Sequence, residues 1–285
     1  MLVSLSVHPL AGAEFDATDA VLMEAYQVQQ SWKESLQRYL ALQPGGAFVA
    51  KDDGTIAGFG GAIDYGPFAY IGLMAVHPGL QKRGIGQMIL EHLLAWLDAR
   101  GCATVLLDAT PVGAPLYERC GFREDDRTLV LQQDHGIVLP RYLSAGVSNV
   151  SEKDFPDLIT FDAPCFGAER GALLASYKAD DPGCVLVMRE ANGQIGGYLI
   201  AQSRTLGPWV ARTTDIADRL LIHALALPFT SEPRVLVSAQ HSAALRLLSH
   251  YGFSVQRSLS HMCKGKRVQR SRTTTLYGQA SLGFG

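Results

Sequence analysis

The 285-residue sequence predicts a mixed α/β protein built twice on one plan. Strand-like and helix-like segments alternate through its first third. A basic, glycine-containing loop runs directly into a long amphipathic helix. Two stretches of the first half return in the second: "VAKDDGTIAGF" (49–59) as "VMREANGQIGGY" (187–198), and "LYERCGFREDDRTL" (116–129) as "LLSHYGFSVQRSL" (247–259). The offset of about 130–139 residues exceeds any solenoid repeat and has the length of a domain. The division expected is 1–138 and 139–285, with the boundary inside "QDHGIVLPRY" (133–142).

The elements follow from periodicity and punctuation. "LVSLSV" (2–7) reads as a strand, and Ala17–Tyr26 and Ser35–Leu42 as helices, the first led by the acidic "EFDATD". Two apolar runs around Asp52-Asp53-Gly54 (47–63) give a hairpin. "FAYIGLMAV" (68–76) is apolar throughout and predicts a strand buried on both faces. From Ile85 to Ala99, Ile85, Ile89, Leu93 and Leu97 recur every fourth position, and Gly101 ends the helix. "TVLLDA" (104–109), a short helix in "GAPLYERCGF" (113–122) and "RTLVLQQ" (127–133) complete the first half. The second half reads as a helix near Lys153–Asp162, a hairpin at 184–203, a helix at Thr214–Leu225, a strand "RVLVSAQ", a short helix to Gly252 and closing strands, the last being "TLYGQASLGF" (275–284).

Composition narrows the function. The formal net charge of -2 supplies no bulk attraction for nucleic acid. Five scattered cysteines with no CxxC pair suggest neither a disulfide framework nor a metal site. No apolar run is long enough to span a bilayer, and the first residues lack a basic leader, so a cytoplasmic protein with no membrane partner is expected.

Chemistry concentrates in "VHPGLQKRGIGQ" (76–87). A helix N-terminus presents unpaired N–H groups and a positive partial charge, and glycines there let an anion approach the backbone. Lys82 and Arg83 add charge outside. A Walker loop fails because Gly84 is followed by Ile85-Gly86 rather than Lys-Ser/Thr. A dinucleotide fingerprint fails because only Gly84-x-Gly86 is present and Leu90 stands where a small residue would help the helix pack.

The pattern V-x-P-x-x-Q-x-x-G-x-G after a buried strand, with "PLYERCGF" about 30 residues on, resembles the GCN5-related N-acetyltransferase (GNAT) family over essentially 1–133, and more weakly through the second half. The resemblance implies two tandem domains, each a mixed, mostly antiparallel sheet flanked by helices. It implies an acetyl-CoA-dependent transferase acting on a primary amine, here of a small molecule. Gln81, Lys82, Arg83, Gly84, Ile85, Gly86 and Gln87 would hold the pyrophosphate of coenzyme A. Met74, Ala75 and Val76, on a bulge that splays from the neighbouring strand, would bond the pantetheine arm and thioester carbonyl. Tyr117, four residues before Gly121, stands at the family's acid position. The base is open: Asp108 ends a neighbouring strand, Asp64, Tyr65 and Tyr70 lie near the hairpin end and strand start, and His77 follows the bulge, where it serves equally well as a loop residue. Asp108 could instead bond the loop after it, and a solvated proton route without a dedicated base fits too.

In the second half "ARTTDIA" (211–217) replaces the glycine loop, Asp215 puts a negative charge where phosphate would sit, and Leu248 takes the tyrosine position. A degenerate partner domain that shapes the acceptor pocket is implied. "FDAPCFGAER" (161–170) resembles a recurrent segment of such halves and makes Asp162, Glu169 and Arg170 candidates for substrate or interdomain contacts. The basic "KGKRVQRSR" (264–272) reads as a solvated loop. A CoA-binding regulatory module without turnover and a protein or peptide N-acetyltransferase are the alternative functions. A monomer or homodimer is expected.

Overall fold

The computed structural model describes residues 5–134 and 146–285, so the expected boundary at 138/139 lies outside the described residues. The first half runs β1 (Leu5–Pro9), α1 (Phe15–Tyr26), α2 (Lys33–Leu42), β2 (Ala47–Asp52), β3 (Thr55–Asp64), β4 (Ala69–Val76), α3 (Ile85–Ala99), β5 (Val105–Ala109), α4 (Ala114–Arg119) and β6 (Arg123–Gln133). The second runs β7 (Val147–Asn149), α5 (Phe155–Phe166), α6 (Gly171–Asp180), β8 (Val185–Arg189), β9 (Ile195–Ala201), β10 (Leu206–Ala211), α7 (Thr214–Leu225), β11 (Arg234–Ser238), α8 (Ser242–His250), β12 (Phe253–Lys264) and β13 (Leu276–Gly278).

Local chemistry accounts for most of these elements. The β2–β3 turn places Asp53 and Gly54 at φ +47° and +83°, the left-handed pair a tight hairpin needs. Helix α3 buries Ile85, Ile89, Leu90, Leu93 and Leu97 against the sheet, the stripe its periodicity predicts. Three elements were not expected. β10, "LGPWVA", carries Gly207 and Pro208 and reads as a turn; α6 opens on a glycine; β7 has three residues. The expected closing strand shortens to Leu276–Gly278, after which the chain folds back with Ala280 N–H donating to the Gly285 carbonyl.

The strands form one eight-stranded sheet, β1-β2-β3-β4-β5-β12-β6-β11, and one five-stranded sheet, β13-β10-β9-β8-β7. Pairing within them is antiparallel except for β4 with β5. The internal repeat makes β6 the counterpart of β12, and β5 the counterpart of β11. Yet β12 pairs with β5, from Ser260↔Ala109 to Lys264↔Val105, while β6 pairs with β11, from Arg234↔Gln132 to Ser238↔Thr128. Each half has given its last strand to the other. β6 and β12 also pair with each other along Phe253↔Gln133 to Cys263↔Arg123, so the exchange is sealed by a shared ladder. One buried cluster includes Leu22, Tyr39 and Phe59 of the first half with Leu174, Tyr198 and Phe284 of the second. The halves are therefore bound by backbone ladders and by a common core.

Candidate active site

The site begins where β4 leaves β5. The two strands pair only at Ala69↔Val105 and Tyr70↔Leu106, then diverge. On its other side β4 slips against β3: Gly61 faces Gly72 and Phe59 faces Ala75, leaving Leu73 and Met74 together opposite Gly60. Leu73 sits at φ +53°. This is a bulge at the mouth of the splay, and it re-aims the backbone groups of Met74, Ala75 and Val76. A Cβ on Gly60 would lie 2.3 Å from the Met74 sulfur and 2.8 Å from Ile89 Cγ2, so the glycine leaves the room these side chains fill beside the bulge. Helix α1 fixes it from above: the Tyr26 hydroxyl donates to the Met74 carbonyl at 3.1 Å.

A cavity of about 200 Å³ opens at this point, lined by Tyr26, Trp32, Leu73, Met74, Asp108 and Tyr117 among others. Tyr117 projects from α4 with its ring edge-on to Phe122 at 5.8 Å. Burial raises its hydroxyl pKa well above the usual tyrosine value, so the group stays protonated. Its hydroxyl makes no hydrogen bond among the described residues, in contrast to that of Tyr26.

Beyond the bulge, Gln81 Nε2 donates to the Val76 carbonyl at 3.2 Å. Lys82 (φ +63°) and Gly84 (φ +83°) turn the loop sharply into α3, which starts without a side-chain cap. Gln81, Lys82, Arg83, Gly84 and Gln87 are exposed; Ile85 is buried and Gly86 half-buried. Arg83 is tied to Asp52 at 2.8 Å. The first turn of α3 thus offers bare N–H groups to solvent, the form an anion site takes. A CoA pyrophosphate fits this terminus, and the unfilled splay fits a pantetheine arm.

The second half shows the same plan closed. β10 and β11 diverge after a single parallel bridge, Thr205↔Arg234. Into that splay the chain inserts β13. It pairs with β10 at Trp209↔Gly278 and Val210↔Leu276, Gln279 N–H donates to the Leu236 carbonyl at 2.8 Å, and Tyr277 packs on Trp209 at 5.1 Å. Thr213 caps α7 by accepting from Ile216 N–H at 3.3 Å, and Asp215 pairs with Arg219 at 3.0 Å. Groove and helix terminus are both occupied by the protein itself.

Several sequence expectations are corrected by their surroundings. Asp108 reaches the cavity, but its carboxylate accepts from Tyr70 at 2.5 Å, Thr128 at 2.6 Å and Gln279 at 3.2 Å, with His261 Nδ1 at 3.0 Å. Burial alone would raise its pKa; His261, Arg272 and Thr128 outweigh it and hold the carboxyl well below the usual range. A carboxylate so engaged is an anchor between the halves rather than a base. Tyr70 spends its hydroxyl on that anchor and is fully buried, so it does not meet substrate. Asp64 accepts from Arg100 at 3.0 Å and from Gly66 N–H at 2.9 Å at the far end of β3. Asp162 and Arg170 form a buried two-point ion pair at 2.7 and 2.9 Å, with Tyr198 donating to Asp162 at 2.5 Å and the guanidinium 3.9 Å over Phe166. They lock α5 to α6 and lie away from the cavity. Glu169 accepts from Gly171 N–H. His77 is a loop residue, accepting from Gly79 N–H at 3.1 Å and meeting Glu24 at 2.9 Å. The basic segment is not a solvated loop throughout: Arg272 is buried on Asp126 and Thr128, and Arg270 donates to the Phe166 carbonyl at 2.9 Å.

Sequence reasoning missed Tyr26 and Trp32, which carry no motif, and Arg204, Arg234 and Arg257, which reach the cavity only through the second half. The strand exchange that brings Arg257 there is not a local pattern.

A bulged strand splayed from its parallel neighbour, a glycine-turned helix terminus beyond it and a free tyrosine across the gap define an acyltransferase of the GNAT type. Comparison with known proteins agrees. The acetyltransferase (GNAT) family model matches residues 13–122, and a second acetyltransferase (GNAT) domain model matches 158–278. The uncharacterized N-acetyltransferase YitH of Bacillus subtilis is 26% identical over 232 residues, 79% of this chain and 81% of that one. A ribosomal protein bS18-alanine N-acetyltransferase of Salmonella typhimurium is 44% identical over only 54 residues, 18% of this chain and 36% of that one. A Pyrococcus horikoshii crystal structure described as an acetyltransferase superposes with TM-score 0.86 at 23% identity, covering 99% of this chain and 96% of that one. The chain belongs to the GNAT family in its tandem-domain form and is an N-acetyltransferase. The family generally uses acetyl-CoA and acts on amines. Among the described residues no helix is long and apolar enough to cross a membrane.

Proposed function

We propose that the first half, residues 1–138, binds acetyl-CoA and transfers its acetyl group to a primary amine of a small molecule, while the second half, 139–285, walls the acceptor pocket and binds no cofactor. One observation carries this reading: the β4–β5 splay is open and faces a free Tyr117, whereas the equivalent β10–β11 splay is filled by β13. Bound in the open splay, acetyl-CoA supplies an acetyl thioester. The α3 terminus with Lys82, Arg83, Gly84 and Gly86 binds its pyrophosphate, and the Met74–Val76 backbone orients the arm and stabilises the developing oxyanion. Tyr117 holds its proton for the departing thiolate. Among the described residues Asp108 is the one carboxylate lining the cavity, and it is fully engaged, so the amine loses its proton to solvent. The cavity of about 200 Å³ favours a small acceptor over a protein chain.

Titration calorimetry with acetyl-CoA tests the cofactor assignment. Wild type should bind one equivalent, and a Gly84→Glu/Gly86→Glu variant none, because two carboxylates would face the pyrophosphate. Two equivalents would restore the second half as a cofactor domain. No binding by folded wild type would overturn the proposal. The resemblance to a ribosomal-protein acetyltransferase supplies the rival acceptor, and acetylation of an N-terminal alanine peptide with no free amine turned over would favour it.

A further inference from the structure

Part of the lining of the cavity that holds Tyr117 is cationic. Arg204 comes from the β9–β10 loop, Arg234 opens β11, and Arg257 lies on β12 two residues before Leu259, which lines the same cavity. A bulge in β12 between Val255 and Arg257 sets this register. The same arginines line an adjoining pocket of about 130 Å³ that runs between the halves past Trp32 and Ser281.

None of the three forms an ion pair with a carboxylate among the described residues. Arg204 donates to the Gln30 side-chain oxygen at 3.2 Å, while its Nε is buried without a partner. Arg234 donates to Thr205 Oγ1 at 3.0 Å. Burial, then the charges of Arg204 and Arg257, push the Arg234 guanidinium down to about 10. Elsewhere Arg170 has Asp162, Arg272 has Asp126 and Arg38 has Asp180, whereas Arg270 has only the Phe166 carbonyl. Three guanidiniums gathered without a counter-charge repel one another, and the planar donor fork of each suits an oxyanion.

We propose that the acceptor amine carries an anionic group, a carboxylate or a phosphate, which docks on Arg204, Arg234 and Arg257 and turns the amino group toward Met74 and Tyr117. This rests on the acetyl-transfer reading of the same cavity and names its substrate class. The arrangement also answers the lack of a base. The cavity holds three cations, its described lining has no carboxylate but the engaged Asp108, and Glu34 lines only the adjoining pocket. This disfavours the ammonium form of the tethered amine, so the neutral nucleophile is populated without a proton acceptor on the protein. The amine nitrogen then bonds to the thioester carbonyl carbon, the C–S bond breaks, the nitrogen gives its proton to solvent, and the thiolate takes one from Tyr117, which recovers it from solvent.

Matched amine pairs test the assignment on the full chain: β-alanine against 3-aminopropanol, and phosphoethanolamine against ethanolamine. The anionic member should show kcat/KM about 30-fold higher, chiefly through KM, as expected for one or two charge-assisted hydrogen bonds. The preference should shrink as salt rises. Arg234→Gln, and separately Arg257→Gln on the exposed strand face, should cut it to within about threefold while calorimetric affinity for acetyl-CoA stays unchanged. Which pair responds more separates carboxylate from phosphate. Acetyl-CoA binding together with equal or better turnover of the neutral amines would overturn the inference and leave the acetyltransferase reading standing. Failure to bind acetyl-CoA would remove that reading instead. In that second case β-alanine is titrated into the free protein; binding lost in Arg257→Gln upholds the anion site, and no binding overturns it.

Discussion

Tyr26 and Tyr117 meet at one cavity with different duties. Both hydroxyls are buried and their pKa values are raised by that burial, but Tyr26 is spent on the Met74 carbonyl whereas Tyr117 is free to act. Tyr117→Phe should lower kcat about 100-fold with acetyl-CoA affinity retained, the range for losing a positioned acid. Tyr26→Phe should leave the acid in place and loosen the bulge, costing about 1 kcal/mol of stability and a smaller loss of kcat. Stopped turnover and calorimetry on both variants check the contrast; equal losses would mean the two tyrosines act as one unit. The motif reading found Tyr117 because its spacing to Gly121 is local. It could not find Tyr26, whose only mark is a contact across 48 residues. It placed Asp108 near the chemistry but not in its role, since three of the groups meeting its carboxylate, Thr128, His261 and Gln279, come from later in the chain. That anchor has a pH signature. Asp108 has a folded pKa below its unfolded value of about 3.9, so its contribution is complete above that pH and lost as pH falls. Burial, with Arg272 beside it, lowers the His261 pKa, so its contribution is lost as pH falls below its unfolded value of about 6.5. Both slopes share a sign. Urea midpoints should fall from about pH 6.5 downward and more steeply below about pH 4; a midpoint that rises toward pH 5 would contradict the anchor.

Helix α3 and strand β13 show how one plan yields one open groove and one closed groove. Periodicity gave α3 to the residue because Ile85, Ile89, Leu93 and Leu97 all face the sheet. The bulge in β4 was legible only through resemblance, since "YIGLMAV" carries no turn residue at Leu73 to announce φ +53°. The closing segment was misread as one long strand because its apolar residues continue past Gly278, whereas the structure uses three residues to plug the β10–β11 splay. The plug is tight. A Cβ on Gly278 would lie 2.7 Å from the Leu206 carbonyl, 3.3 Å from Trp209 Cβ and 3.4 Å from Val235 Cγ1. Gly278→Ala should therefore destabilise by about 2 kcal/mol, the cost of overpacking a filled core. Acetyl-CoA stoichiometry should remain one, because the capped α7 and Asp215 still oppose an anion. A shifted urea midpoint with unchanged calorimetric stoichiometry is the expected result; a second equivalent of bound cofactor would show that β13 alone had closed the groove.

At the scale of the whole molecule, the repeat revealed two copies of one plan but concealed how they are joined. Similar sequences allow β6 and β12 to occupy each other's sheet positions, and alternation in either strand reads the same in both arrangements. Only pairing partners distinguish them, and those are separated by more than a hundred residues. The exchange matters for function because β12 delivers Arg257 and Leu259 to the cavity of the first half. It also makes a stability prediction that independent tandem domains would not make. In residues 1–134 alone, β5 would lose its β12 partner and β6 would lose strands on both sides, leaving bare edges that favour aggregation. Expressed alone, this piece should be insoluble or associate through those edges. Co-expressed with 146–285, it should purify as a one-to-one complex without a covalent link, held by the β5–β12, β12–β6 and β6–β11 ladders, and should bind acetyl-CoA. Size-exclusion chromatography in native buffer and in urea distinguishes the cases. Two separately soluble monomers that do not co-elute would mean that each half keeps its own last strand in solution, and the acceptor pocket would then have to be rebuilt without Arg257.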